Sequence, residues 1–294
     1  MSIYVTGDTH GAESFDFYSF DGYANRLSEE DFPEQEEMTK NDYVVICGDF
    51  GGVWSFYGEK SKKGKEEMWL DWLENRPFTT LFVPGNHENY DRLTGMKEPE
   101  LLDKCWLYED FDEKERRKLL EGYPQKDWNG GKVRVLRPSV LMLECGYVFD
   151  IDECKCFAFG GAQCHDISGG ILKPEDFNDK DDFEEEYRKW WKRGKSFRVK
   201  NVSWWEQEVP DEMTMEMGLC NLEDEGNKVD FVFSHTPPAS DCIMLGYKPD
   251  KVSKYLEKVK QKIDYKKWFS GHLHDNRSFN SKDLLVYEQV IRIH

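Results

Sequence analysis

Five short apolar runs in this sequence each lead directly into a glycine- or proline-containing loop that carries His, Asp or Asn. The runs are Ile3 to Val5 before TGDTHG, Tyr43 to Cys47 before GDFGG, Thr80 to Val83 before PGNHEN, Val229 to Phe233 before SHTPP, and Lys267 to Phe269 before SGHLH. Their length and their β-branched or aromatic content are typical of buried strands. The pattern therefore predicts β-sheets whose strands end in loops that carry potential catalytic or metal-binding side chains.

Helical patterns separate some of these strands. Two apolar stripes recur at helical spacing, one formed by Met68, Trp69, Trp72 and Leu73 and the other by Val252, Tyr255, Leu256, Val259 and Ile263. Amphipathic helices of this kind pack one face against a core. Strands that alternate with helices predict an α/β fold in which at least some strands are parallel.

Two further regions have a different pattern. Residues 132–160 predict consecutive antiparallel strands joined by short turns. Residues 161–228 are polar and rich in Trp, and Ser203 with Glu206 could form a capping box that opens a helix. Because no low-complexity linker or internal repeat divides the chain, we expect one domain over residues 1–294 with an insertion or cap at about 161–228.

Composition excludes several classes of protein. The chain has 294 residues and a net charge of −18 at pH 7, which disfavours a basic face for nucleic acid. Aromatic residues make up 15% of the chain, too many for a disordered polymer. No apolar run reaches the roughly 18 residues of a membrane span, and Asp8 leaves no room ahead of it for the apolar part of a signal peptide.

The eight cysteines favour a reducing compartment. They are scattered, and no Cys-x-x-Cys pair occurs among them. A disulfide framework is typical of small secreted domains, so we expect free thiols in a cytoplasmic protein. Cys154 and Cys156 should point to one face of a strand and serve as packing residues.

The strand-exit loops collect the chemistry of a metal site. Five of the seven histidines lie in them, together with two aspartates and one asparagine: His10, His87, His235, His272, His274, Asp8, Asp49 and Asn86. Sites in open α/β sheets form beyond the carboxyl ends of strands, which could bring these side chains together. Imidazole, carboxylate and amide oxygen suit divalent ions, and eight groups suit two ions that share a bridging carboxylate.

The motifs in these loops resemble those of the calcineurin-like metallophosphoesterase superfamily. They are Gly7-Asp8-Thr9-His10, Gly48-Asp49, Gly85-Asn86-His87-Glu88, Ser234-His235 and Gly271-His272-Leu273-His274, and they occur in order from residue 7 to residue 274. FVPGNHENYDRL, FAFGGAQCHDISGGIL and SWWEQEVPDEM are also similar to stretches in bacterial and phage members. The resemblance implies a four-layer α/β/β/α sandwich of two mixed sheets flanked by helices.

The resemblance also implies roles for individual residues. One metal ion would be held by Asp8, His10, Asp49 and His274, and a second by Asp49, Asn86, His235 and His272, with Asp49 as the bridge. Asn86 would also contact phosphate, and His87 would be a general acid or an electrostatic stabiliser. The cofactors would be two divalent ions (Mn²⁺, Fe, Zn²⁺ or Ni²⁺), and a metal-bridging hydroxide would be the nucleophile.

The second motif departs from the protein Ser/Thr phosphatase branch. That branch continues from this motif to Asp-Arg-Gly, which supplies a phosphate-binding arginine. Here the chain reads Gly48-Asp49-Phe50-Gly51-Gly52-Val53-Trp54, without an arginine. The departure disfavours phosphoprotein phosphatase activity and leaves the phosphate-binding residue unassigned. Phe50 and Trp54 could line the pocket or belong to the core.

Residues outside the five motifs have weaker predictions. His165 and Asp166 could lie at the rim of the site and bind substrate, or Asp166 could form a local turn. The pairs Trp190-Trp191 and Trp204-Trp205 favour core positions, and His294 has no motif around it. Because residues 161–205 follow a strand that should end beside the metals, we expect them to wall the cleft.

Three functions fit these observations. The first is a dimetal-dependent hydrolase of phosphomonoesters or phosphodiesters whose partner is a small phosphorylated substrate. The second is a metal-dependent nuclease, which the net charge disfavours. The third is a non-catalytic protein-binding scaffold, which the complete ligand set disfavours. Neither a nucleic-acid partner nor a membrane is expected.

Overall fold

The computed structural model describes residues 1–11, 26–56 and 60–294. The strands in these ranges are β1 (Ile3–Thr6), β2 (Tyr43–Cys47), β3 (Thr79–Val83), β4 (Gln125–Trp128), β5 (Gly131–Arg137), β6 (Val140–Leu143), β7 (Tyr147–Ile151), β8 (Cys154–Phe159), β9 (Ile171–Leu172), β10 (Arg198–Val199), β11 (Lys228–Ser234), β12 (Asp264–Ser270), β13 (Arg277–Ser278), β14 (Asp283–Leu285) and β15 (Ile291–Arg292). The α-helices are α1 (Lys60–Glu74), α2 (Tyr90–Thr94), α3 (Leu101–Lys104), α4 (Glu113–Glu121), α5 (Lys180–Lys192), α6 (Glu212–Asp224), α7 (Ala239–Met244) and α8 (Lys251–Lys262). Short 3-10 helices lie at Pro33–Glu37, Trp106–Tyr108, Pro174–Asp176 and Glu206–Glu208.

The strands form two large mixed sheets and one small ribbon. The first sheet has the order β15-β1-β2-β3-β6-β5-β4, and the second has the order β13-β14-β12-β11-β8-β7. The centre of each sheet is parallel, with β1, β2, β3 and β6 in one and β8, β11, β12 and β14 in the other. All five strands predicted to carry site loops are parallel members of these centres.

The two sheets pack face to face through a core of buried apolar side chains. Val45, Leu81 and Val83 from the first sheet belong to the same buried cluster as Phe231 and Phe233 from the second. These side chains alternate along their strands with residues that face outward, as a period of two requires. Cys154 and Cys156 lie in this core, which confirms that they are packing residues.

Helices cover the outer faces of both sheets. On the first sheet, Trp69, Leu70 and Leu73 of α1 pack against outward-facing residues such as Ile46 and Phe82. On the second sheet, α6 and α8 cover Phe157, Val232 and Trp268 through the cluster Met215, Leu222, Val252, Tyr255, Leu256 and Val259. Both predicted amphipathic helices are therefore confirmed, although Met68 of the first stripe is 50% exposed. The architecture is the four-layer α/β/β/α sandwich that the motifs implied.

One local prediction is confirmed only in part, and another is wrong. Residues 132–160 form two separate antiparallel hairpins, β5-β6 and β7-β8, because the chain crosses from the first sheet to the second between Leu143 and Tyr147. The capping box is also absent: the hydroxyl of Ser203 accepts the backbone N–H of Val199. Only a short 3-10 helix follows, and Trp205 precedes it without a side-chain cap.

The region predicted as an insertion contains several elements of its own. Strands β9 and β10 form a parallel two-stranded ribbon, and helix α5 lies between them with no buried residue. Helix α6, at the end of the region, belongs to the layer that covers the second sheet. The expectation that residues 161–205 wall the cleft remains a prediction. In the ranges that the structure describes, no helix is both long and apolar enough to cross a bilayer.

Two buried carboxylates join this region to the main body. Asp91 accepts hydrogen bonds from Trp205 Nε1 (3.1 Å) and Gln207 Nε2 (3.3 Å). Glu208 Oε1 accepts the backbone N–H of Cys164 (2.7 Å) and the indole N–H of Trp204 (3.0 Å), while its buried Oε2 has no hydrogen-bond partner among the described residues. Burial raises the pKa of Asp91 to about 6 and that of Glu208 to about 8.

The raised pKa of Glu208 makes stability depend on pH. The folded state holds a proton that the unfolded chain releases between the ordinary value of 4.5 and about 8, so the free energy of unfolding falls as pH rises through this window. Glu208→Gln resembles the protonated form, and we expect it to raise the free energy of unfolding at pH 9 by about 1–3 kcal/mol while changing it little at pH 5.

Denaturant titrations from pH 5 to pH 9 measure this effect. Glu206→Gln is the matched control because Glu206 is exposed in the same 3-10 helix. A wild-type pH profile that Glu208→Gln leaves unchanged would contradict the prediction.

Candidate metal centre

The parallel strands bring their loops to one edge of the sandwich. In the first sheet, β1, β2 and β3 run side by side in register, and in the second sheet β11 and β12 do the same. The residues that follow these strands meet at the seam between the sheets, because the carboxyl ends of parallel strands share an edge. The structure thus brings together all eight predicted side chains: Asp8, His10, Asp49, Asn86, His87, His235, His272 and His274.

One group of four side chains converges closely. One ligand atom from each of Asp8, His10, Asp49 and His274 lies within 4.8 Å of the other three. His274 Nε2 is 3.1 Å from Asp8 Oδ2 and 3.1 Å from His10 Nε2. His10 Nε2 is also 4.0 Å from Asp49 Oδ2. This group matches the first ligand set implied by the motifs.

A second group faces the other oxygen of the shared carboxylate. His235 Nε2 lies 3.4 Å from Asp49 Oδ1 and 3.1 Å from Asn86 Oδ1. The ring of His272 lies 4.8 Å from the ring of His235. Asp49 therefore directs Oδ1 towards one group and Oδ2 towards the other, as a bridging ligand would.

The atoms in these contacts fit a cation. His235 Nδ1 is 3.0 Å from the carbonyl oxygen of Cys47, which can only accept, so Nδ1 carries a proton, and in the neutral ring Nε2 has the lone pair. Nε2 then faces two oxygens that also only accept. The lone pairs of an imidazole, a carboxylate and an amide oxygen thus face one another. These are the ligand types that divalent transition-metal ions bind.

The backbone holds several of these residues in left-handed conformations. The φ angles are 46° for His10, 40° for Asp49, 72° for His272 and 49° for His274. Such angles are uncommon outside glycine and persist where surrounding contacts enforce them. Asp49 O accepts the N–H of His10 (2.8 Å), and the Asp8 carboxylate accepts the N–H of His272 at 2.9 and 3.0 Å.

Glycine is required where loops cross the ligands closely. A Cβ on Gly85 would stand 2.0 Å from Asp49 Oδ1, and a Cβ on Gly271 would stand 2.1 Å from Asp8 Oδ1. Both distances are far inside van der Waals contact. These two glycines, which directly precede Asn86 and His272, therefore let their loops approach a carboxylate that a side chain would displace.

The charges of the site shift the pKa values of its members. Burial alone would raise the pKa of Asp49, but His235 and the neighbouring imidazoles lower it well below its usual range. Burial, followed by His235, lowers the pKa of His272 to about 4. The charges and burial of the site itself therefore favour ionised carboxylates and a neutral His272, which are the protonation states that bind metal ions.

His87 lies beside the two ligand groups. Its backbone N–H donates to Asp49 Oδ1 at 2.8 Å, which fixes the main chain. Its ring stands 5.5 Å from the His10 ring and 5.2 Å from the indole of Trp54. Burial lowers the pKa of His87 below that of a free imidazole. The ring is therefore a partly shielded group at the edge of the site.

Two residues that support the site were not assigned from sequence. Glu88 is fully buried and its Oε1 accepts the N–H of Phe50 at 2.7 Å, which anchors the loop that carries Asp49. Tyr287 stacks on His274 with ring centroids 4.7 Å apart. Glu88 belongs to a motif already visible in the sequence, whereas Tyr287 had no signal.

The residues with weaker predictions have distinct environments. His165 is 70% exposed, and its ring lies 5.7 Å from that of His272. Asp166 forms an ion pair with Arg198 Nη2 at 2.6 Å, so its carboxylate contacts a distant segment. Substrate binding by His165 and Asp166 remains a prediction. Phe50 is fully buried, as a core residue. Among the tryptophans, Trp205 is buried as predicted, but Trp191 is 70% exposed because α5 presents it to solvent.

Fold and site together define an α/β/β/α sandwich with a candidate metal centre at the seam of its sheets. The family model for calcineurin-like phosphoesterases matches residues 1–276. The chain therefore belongs to the calcineurin-like phosphoesterase family, which confirms the motif-based prediction. A search among curated proteins finds no match to the chain. Family membership indicates a phosphoesterase hydrolase in general and leaves its substrate open.

Proposed function

We propose that this protein hydrolyses small phosphate esters with two divalent metal ions. One ion would be held by Asp8, His10, Asp49 and His274, and the other by Asp49, Asn86, His235 and His272. The observation that carries the proposal is the position of Asp49, whose two oxygens face two separate groups of metal-binding atoms. A carboxylate shared in this way is the hallmark of a two-metal site.

The ions, when bound, supply Lewis acidity to the phosphoryl group and lower the pKa of water. The residues of the chain position the reactants and move protons. Asp49 and Asp8 fix the ligand loops through their hydrogen bonds to the backbone of His87 and His272. Hydrolysis breaks the bond between phosphorus and the leaving oxygen, and that oxygen must gain a proton. His87, beside the ligands, is the group that we assign to deliver it.

The substrate that we propose is a small phosphorylated molecule. The net charge of −18 opposes a long polyanion, because each phosphate of a nucleic acid would meet an acidic surface. A single phosphate group would be attracted by the metal ions in spite of the net negative charge of the chain. A nuclease and a metal-binding scaffold without turnover are the alternatives that an assay must separate.

The proposal is tested with purified protein. Elemental analysis measures the bound metals, and hydrolysis of a chromogenic phosphomonoester is compared with that of its diester analogue in Mn²⁺, Ni²⁺, Zn²⁺ and Mg²⁺. We expect up to two metal equivalents per chain and turnover that disappears on chelation and returns with metal. Bound metal without turnover of any ester would favour the scaffold, and cleavage of DNA or RNA alone would favour the nuclease.

A further inference from the structure

An arginine from the predicted insertion stands beside the metal centre. Arg198 begins strand β10, where it pairs in register with Ile171 of β9, and its backbone N–H donates to the carbonyl of Gly170 at 3.3 Å. The loop from His165 to Gly170 leads into β9. The ribbon therefore fixes the start of Arg198 against the loop that carries His165 and Asp166.

The guanidinium is oriented but not fully used. Arg198 Nη2 donates to Asp166 Oδ2 at 2.6 Å, and the side chain is only 20% exposed. Its Nε is buried, and within the described part of the chain it has no hydrogen-bond partner. A buried N–H without an acceptor costs free energy unless something else accepts it. Among the described residues, Asp166 is the one hydrogen-bond partner of this guanidinium, so the fork has N–H groups that no described residue accepts.

The position of this pair relative to the metal centre follows from neighbouring contacts. The ring of His165, next to Asp166, lies 5.7 Å from the ring of the proposed ligand His272. Because Arg198 Nη2 bonds Asp166 at 2.6 Å, the guanidinium stands on the insertion side of the centre, against the loop that reaches His272.

Arg198 could supply the cationic side chain for phosphate that the loop carrying Asp49 lacks. The loop after Asp49 reads Phe50-Gly51-Gly52 and supplies no cation for the phosphate. A guanidinium is always charged, and its N–H groups form short, strong hydrogen bonds to phosphate oxygens.

We propose that Arg198 binds the phosphate of the substrate and that Asp166 is its positioning residue. The inference rests on the proposed function and narrows it to phosphomonoesters. A monoester presents three non-bridging oxygens and about two negative charges, so one oxygen remains for Arg198 beside those that the ions engage. A diester has two such oxygens and a single charge. Arg198 therefore favours the monoester.

The test compares Arg198→Met and Arg198→Lys with the matched control Arg188→Met, which makes the same change on the exposed face of α5. For each variant we would measure the metal content and the kinetics on a monoester and its diester. Calorimetry would measure the binding of inorganic phosphate to the metal-loaded protein. For Arg198→Met we expect wild-type metal content, about 10- to 100-fold weaker phosphate binding and a similar rise in monoester KM. Diester kinetics should change less than threefold.

Arg198→Lys keeps the charge but loses the fork, so it should recover part of the lost phosphate affinity. Asp166→Asn should weaken phosphate binding by a smaller factor, because the arginine remains but is less firmly oriented. Wild-type phosphate affinity in Arg198→Met, or equal losses on monoester and diester, would overturn the inference. Phosphate binding that depends on Arg198 in a protein that turns over no ester would support this site and reject the proposed function.

Discussion

Replacing Asp49 by Asn should remove metal from both halves of the centre. The carboxylate directs Oδ1 to His235 at 3.4 Å and Oδ2 to His10 at 4.0 Å, so both ions would share its charge. Without that charge, two cations held close together repel each other with less compensation. Changes outside the ligand shell reduce metal affinity about 10–100-fold. For Asp49→Asn we expect a larger loss of metal affinity, with turnover lost in parallel.

Elemental analysis after dialysis and the rise of melting temperature with added metal measure this loss. Asp103→Asn is the control, since Asp103 is an exposed aspartate of α3. The Asn side chain keeps the size of Asp49 and can still accept the N–H of His87, so folding should be retained. Two equivalents of metal and normal turnover in Asp49→Asn would show that Asp49 does not bridge.

Replacing His87 by Ala should reduce turnover while both metals stay bound. The His87 backbone is held by Asp49, but its ring lies among Trp54 and His10 rather than in either ligand group. Burial lowers the imidazole pKa, and the charge of a phosphate dianion nearby raises it again. Loss of a general acid costs about 10²–10⁴-fold. Alkyl esters should show this loss, and nitrophenyl esters should show much less.

The difference between leaving groups separates the possible roles of His87. An alkoxide must be protonated as it departs, whereas nitrophenolate is stable enough to leave unaided. His294→Ala is the control, because His294 lies at the C-terminus and contacts Asp152 and Cys154. Equal losses on both kinds of ester would assign His87 to positioning, and loss of metal would make it a ligand.

The layers and the position of the site were predictable because their physical signals are local. Runs such as Tyr43 to Cys47 are too apolar to be exposed, and each is short enough to be a strand. Their parallel pairing then places the following loops at one edge. The ligand positions therefore follow from strand order alone, even though Asp8 and His274 are far apart in sequence.

The remaining features depend on contacts between distant segments. Nothing between Leu143 and Tyr147 signals that the chain changes sheets there, because either hairpin could have continued a single meander. Trp191 and Trp205 are each the second residue of a Trp-Trp pair in the sequence. Trp191 is nevertheless exposed, whereas Trp205 is buried against Trp54 and Asp91. Arg198 gains its place beside Asp166 through a two-residue ribbon that is too short to leave a periodic pattern.

The division of the ligands between the two sheets has a consequence for biosynthesis. The first sheet supplies Asp8, His10, Asp49 and Asn86, whereas the second supplies His235, His272 and His274. A nascent chain emerges from its N-terminus, and contacts of such long sequence separation form late. A ribosome must therefore pass residue 272 before the proposed second ion could have all its ligands, and residue 274 before the first could. Metal loading would thus report synthesis beyond residue 274, and shorter products would carry carboxylates and histidines but no assembled centre.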